Sequence, residues 1–137
     1  MKLTDRQKQA VESKSRGILV SASAGSGKTT AMVQRIIELI KNGANIGDML
    51  IITFTKAAAA DMRDKISSAV IDLCAADDKF AGQMRALPSA KIGTIDSWCS
   101  WLVKNYFYAV DADADYELIG EGEQNELFET AADSLID

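Results

Sequence analysis

The stretch "ILVSASAGSGKTTAMVQRIIELI", residues Ile18 to Ile40, decides the fold. An apolar run with β-branched residues gives way to small residues, and Gly27-Lys28-Thr29 then opens a helical rhythm. Met32, Val33, Ile36, Ile37 and Ile40 share one stripe of that helix, and Asn42-Gly43 closes it. The eight residues Ala22-Ser23-Ala24-Gly25-Ser26-Gly27-Lys28-Thr29 begin with a small residue and, after four more, reach Gly-Lys-Thr. That is the pattern of a phosphate loop set between a strand and a helix. A loop that wraps a polyphosphate closely must lack bulk, because side chains would hold the backbone N–H donors away. Those donors and the helix N-terminus supply partial positive charge in a fixed array. Lys28 would reach the β- and γ-phosphates of ATP. Thr29 would place its hydroxyl on Mg²⁺, and Thr30 would complete the nucleotide-binding run. A dinucleotide-binding reading fails because "GSG" lacks the third spaced glycine.

Outward from the loop, helices alternate with short apolar runs. "LTDRQKQAVES" predicts a short helix capped by Thr4 or Asp5, and "GILVSA" predicts a buried strand. "DMLIITFT" predicts a second strand, followed by an Ala-rich amphipathic helix over 56–75. A polar connection with a helical turn near 79–86 leads through Pro88 to a weak strand, "KIGTI". An aromatic-rich helix over 96–108, a loop "DADADYEL" and a final helix complete the chain. In that final helix Leu127, Phe128, Ala131, Ala132, Leu135 and Ile136 share one side. The alternation predicts an α/β fold with a parallel, helix-covered sheet. With two or three strands the sheet is expected to be incomplete, and residues 1–137 to be a fragment of a longer protein.

The 137 residues, 47% hydrophobic and 26% charged, have the composition of a soluble globular domain. No apolar run approaches a membrane span, and "MKLTDRQKQA" has no secretory pattern, so a cytoplasmic protein is expected. Cys74 and Cys99 lack metal-ligand spacing and are expected reduced and partly buried, with a disulfide as the alternative. The net charge of −5 conceals an asymmetry. Residues 1–110 carry 15 basic and 10 acidic side chains, whereas residues 111–137 carry 10 acidic and none basic. The acidic total therefore does not exclude a nucleic-acid partner for the first part.

Three segments besides the loop narrow the function: "LTDRQKQA", "TFTKAAAADM" and "GTIDS". Each has a plain structural explanation. Gln7 can be an exposed helix residue, Phe54 a core residue, and Thr94 or Asp96 a helix cap. In this order, however, they resemble the amino-terminal motor domain of superfamily 1 DNA helicases of the UvrD/Rep type. Leu3 to Ala10 is similar to that family's Q motif, with Thr4 for Asn; the resemblance implies that Gln7 reads the adenine edge. Thr53 to Met62 is similar to motif Ia, with Lys56 for Asn and Asp61 for Glu. Gly93 to Ser97 is similar to motif Ib, with Asp96 for His. Family knowledge implies a RecA-like P-loop fold and single-stranded DNA contacts from Phe54, Thr55, Lys56 and Thr94. Lys56 can donate to phosphate, whereas Asp96 would repel it.

Ala57, the Trp98-Cys99 pair, the basic-aromatic run from Lys104 to Tyr108 and the acidic loop from Asp111 to Ile119 resemble the AddA group, the A subunits of AddAB-type helicase–nucleases. That resemblance implies a large ATP-dependent helicase and exonuclease, active on single-stranded DNA and on broken double-stranded ends in recombinational repair. It also implies a heterodimer with an AddB-type partner. Residues 1–110 are then part of the ATP-binding motor domain, and 111–137 the acidic loop and helix leading onward. On this reading the fragment binds nucleotide only, because no apolar strand ends in the Asp-Glu pair that anchors Mg²⁺. The alternatives are a small P-loop kinase or nucleotide-binding module unrelated to DNA, and a non-catalytic interaction domain.

Overall fold

Thr4 starts the first helix, α1 (Asp5–Glu12), through a reciprocal cap. Its hydroxyl accepts from the Gln7 N–H at 3.3 Å, and the Gln7 carboxamide oxygen accepts from the Thr4 N–H at 2.8 Å. The computed structural model describes residues 3–23, 25–109, 113, 115 and 119–136. Ala24 and most of the acidic loop expected between Asp111 and Ile119 lie outside the described residues, as do the side chains of Leu135 and Ile136.

The helix after the phosphate loop, α2 (Lys28–Lys41), buries Ala31, Val33, Ile36, Ile37 and Ile40. Asn42 ends it, and Gly43 takes the left-handed turn at φ +97°. A short 3₁₀ turn over Ile46–Asp48 leads into β1 (Leu50–Thr53). Thr55 caps the 21-residue helix α3 (Lys56–Ala76), its hydroxyl accepting from the Ala58 N–H at 3.1 Å. The α3 core stripe is Ala59, Met62, Ile66 and Val70, at spacings of one helical turn. The helical turn expected near 79–86 is α4 (Ala81–Ala86), flanked by 3₁₀ turns over Asp78–Phe80 and Leu87–Ser89. Then come β2 (Lys91–Thr94), α5 (Ile95–Tyr106) and α6 (Glu121–Ile136).

β1 and β2 pair in parallel, with Leu50 level with Lys91 and Thr53 level with Thr94. The core lies between this pair and the two long helices. It joins Val33, Ile36, Ile37 and Ile40 to Ile46, Ile51, Met62, Ile66, Val70, Ala90 and Ile92. Ile40, Ile46, Ile66 and Val70 are fully buried, and each such aliphatic side chain contributes about 1.5–3 kcal/mol. Gln83 stitches α4 to the turn after α2: its oxygen accepts from the Ile46 N–H at 2.9 Å, and its amide donates to the Ala44 carbonyl at 3.2 Å.

The strand expected at "GILVSA" is not formed. Residues 17–23 carry no regular structure. Ile18 and Val20, 42% and 49% exposed, line a groove against α2, whereas Leu19 is 96% exposed. The segment keeps the period-two alternation of a strand but has no pairing partner among the described residues. An apolar run becomes a strand only when a neighbour takes up its backbone N–H and C=O groups.

The chain divides into two compact units, Met1–Cys99 and Ser100–Asp137. Within the second unit the rings of Trp101 and Tyr106 meet edge to face at 6.0 Å, and those of Phe107 and Tyr108 at 5.8 Å. On α6, Leu127 and Phe128 remain 59% and 75% exposed. Cys74 is half-buried, Cys99 exposed, and both are free thiols. No helix among the described residues is long and apolar enough to cross a membrane.

Candidate nucleotide and nucleic-acid site

Gly25 and Gly27 both sit in the left-handed region, at φ +74° and +79°, which a side chain would oppose. Gly27 is the residue from which α2 starts, and no side chain caps that helix end. The first N–H groups of α2 are therefore left pointing at whatever occupies the loop, and the helix dipole makes the position attractive to an anion. Lys28 folds toward the loop, its ammonium donating to the carbonyls of Ala22 at 2.7 Å and Ser23 at 2.6 Å. Thr29 and Thr30 are half-buried at the start of the same helix. An uncapped helix start, two glycines in the left-handed region and a tethered lysine form a cradle that fits a polyphosphate. Thr29, in the first turn of α2, is the residue whose hydroxyl could serve Mg²⁺ there. No group of three or more His, Cys, Asp or Glu among the described residues is arranged to hold a metal.

α1 lies beside this cradle. The Arg35 guanidinium on α2 donates to the Val11 carbonyl at 2.6 Å, fixing the end of α1. At the other end the Gln7 amide donates to the Ser26 carbonyl at 2.9 Å. The sequence motif points to Gln7 beside the nucleotide but discloses neither tether. Each joins a side chain to a distant backbone atom, and no local pattern announces such a bond. A groove of about 350 Å³ between α1 and α2 is lined by Ala10, Ile18, Val20, Ala31 and Met32, with Lys28 and Arg35 at its edges.

The two threonine-rich motifs meet at the carboxyl ends of the paired strands. Phe54 directly follows β1 and is 91% exposed. It is thus no core residue. Thr55 and Lys56 are exposed at the start of α3. Thr94, level with Thr53, is 6% exposed; its hydroxyl accepts from the Ser97 N–H at 3.2 Å, so it caps α5. Asp96 is exposed one residue into that helix. The carboxyl ends of parallel strands are where ligands of such sheets bind. Arg63 on α3 donates to the Ile92 carbonyl and ties α3 to β2 one residue outside each motif. No sequence signal marks it for that role.

Parallel strands with flanking helices, and a glycine-rich loop feeding the uncapped start of α2, define an α/β protein of the P-loop class. Residues 3–136 match the family described as the UvrD/REP helicase N-terminal domain. The chain belongs to that family. Among its relatives are the A subunits of bacterial ATP-dependent helicase/nucleases. That of Levilactobacillus brevis is 41% identical over 131 residues, a match covering 90% of this chain and 10% of the relative. Its counterpart from Limosilactobacillus reuteri is 43% identical over 125 residues, covering 86% of this chain and 9% of the relative. The one from Thermoanaerobacter sp. is 40% identical over 137 residues, covering 96% and 11%. The chain thus spans about a tenth of the length of these relatives.

Proposed function

We propose that this chain binds Mg²⁺-ATP in the loop of residues 22–30, as part of the motor of an ATP-dependent DNA helicase and exonuclease. Gln7 reads the adenine edge, and Lys28 holds the β- and γ-phosphates. Thr29 would hold Mg²⁺ through its hydroxyl, and the ion when bound would supply charge that offsets the phosphates during phosphoryl transfer. Phe54, Thr55 and Lys56 face a single DNA strand, with Thr94 setting the motif beside them. Stacking on an aromatic ring is sequence-tolerant, which suits a motor that must pass any base. The whole protein translocates on single-stranded DNA and processes broken double-stranded ends for recombinational repair in the cytoplasm, paired with a partner of the AddB type.

The observation that carries the reading is the uncapped start of α2 beneath two glycines at positive φ, with Lys28 tethered across the loop. The likeness to helicase/nuclease relatives over 86–96% of the chain supports the DNA half. The test is calorimetric titration of the chain with ATP, with and without Mg²⁺. Binding that is Mg²⁺-dependent and lost in Lys28→Ala supports the site. Equal affinity in both proteins defeats it.

A further inference from the structure

Gln7 is engaged by the protein at both ends of its carboxamide. The oxygen accepts from the Thr4 N–H at 2.8 Å, and the nitrogen donates to the Ser26 carbonyl at 2.9 Å. These partners fix the amide's orientation, since an N–H needs an acceptor and a carbonyl a donor. One N–H and one lone pair remain for a base edge, so adenine reading does not require either bond to break.

The bond to Ser26 acts on the loop itself. Ser26 lies between Gly25 and Gly27, both at positive φ, so the chain here has the least intrinsic resistance to a turn of the peptide plane. The Ser26–Gly27 peptide is trans, and in a trans peptide the C=O and the following N–H point to opposite sides. Holding the Ser26 carbonyl toward α1 therefore holds the Gly27 N–H away from α1. No acceptor among the described residues takes up that N–H. The packing is close as well: a Cβ on Gly27 would stand 2.7 Å from the Gln7 amide nitrogen.

We infer that Gln7 is a positioning residue for the phosphate loop: its bond to the Ser26 carbonyl presets the Gly27 N–H as a phosphate donor, whether or not a base is bound. This rests on the reading of residues 22–30 as a nucleotide site, and deepens it. The ligand that isolates the effect is inorganic tripolyphosphate with Mg²⁺, which has the phosphates of ATP and no base.

Two variants separate the bond from its surroundings. Gln7→Glu keeps an acceptor for the Thr4 N–H, since Glu serves the same capping box, but cannot donate to Ser26 at neutral pH. Gln7→Met is neutral and also cannot donate. Calorimetry on the 137-residue chain should show both variants binding Mg²⁺-tripolyphosphate roughly three- to tenfold more weakly than wild type, the scale of one net hydrogen bond. The helical circular dichroism and melting temperature of Gln7→Glu should match wild type. Unchanged tripolyphosphate binding in both variants, with weaker ATP binding, would make Gln7 a base reader alone and overturn the inference while the nucleotide site stands. A loss confined to Gln7→Glu would be charge repulsion and would overturn it equally. Wild-type chain that bound neither ligand through Lys28 would remove the inference and the nucleotide site together.

Discussion

Lys28 is tethered to Ala22, its ammonium 2.7 Å from a carbonyl at the start of the same loop, with the Ser23 carbonyl as a second acceptor. A polyphosphate entering the cradle must draw this ammonium off two neutral carbonyls. Exchange for anionic oxygens is favourable, because the ammonium then faces full negative charge in place of carbonyl dipoles. Lys28→Ala should therefore weaken Mg²⁺-ATP binding by about 1.5–3 kcal/mol, read by calorimetry. A smaller effect on melting temperature is expected, since the lysine is exposed.

The two loop glycines should respond unequally to alanine. A Cβ at Gly25 meets open space, so Gly25→Ala incurs the left-handed strain alone, about 1–2 kcal/mol. A Cβ at Gly27 carries the same strain and also displaces the Gln7 amide from Ser26. Gly27→Ala should lose more ATP affinity than Gly25→Ala. Equal losses in titration would show that the contact with Gln7 has no bearing on the loop.

Phe54 has no packing role to lose, being 91% exposed directly after β1. In the full-length protein Phe54→Ala should leave stability unchanged and weaken single-strand binding by about 1–3 kcal/mol, the worth of one stacked base. The measurements are a fluorescence titration with oligonucleotide and a DNA-stimulated ATPase assay. Normal values in both would break the motif Ia assignment.

Residues 1–137 alone should show no DNA-stimulated ATPase, however well they bind nucleotide. Phosphoryl transfer needs an anchored metal, an oriented water and positive charge on the transition state. Among the described residues no group of three or more His, Cys, Asp or Glu is arranged to hold the ion. A phosphate-release assay with excess single-stranded DNA, blanked with Lys28→Ala, checks this. Turnover well above the blank would point to a self-contained P-loop enzyme.

What the sequence disclosed was local in cause. α2 and α3 follow from turn-spaced apolar stripes, and their ends from Asn42-Gly43 and Thr55. β1 and β2 form where short apolar runs can pair with each other. The same signal at Ile18 to Val20 produces no strand, because pairing depends on a neighbour and not on the run itself. Phe54 departs from the plainer explanation as a core residue for a related reason: an aromatic next to an apolar strand has the same local pattern whether its ring packs inward or stands free. The tethers of Gln83, Arg35, Arg63 and Gln7 cross 19 to 39 residues of chain, and only the folded backbone brings their partners within reach.

The bare face of Leu19 sets a hazard during synthesis. An extended apolar segment with unpaired N–H and C=O groups is a template for pairing with another chain. A strand seated beside it from elsewhere in a protein of the relatives' length would reach it late, since ribosomes add about 5–20 residues per second and the rest of such a protein takes on the order of a minute. Through that interval the segment that leads into the nucleotide loop would be exposed to other nascent copies and to chaperones.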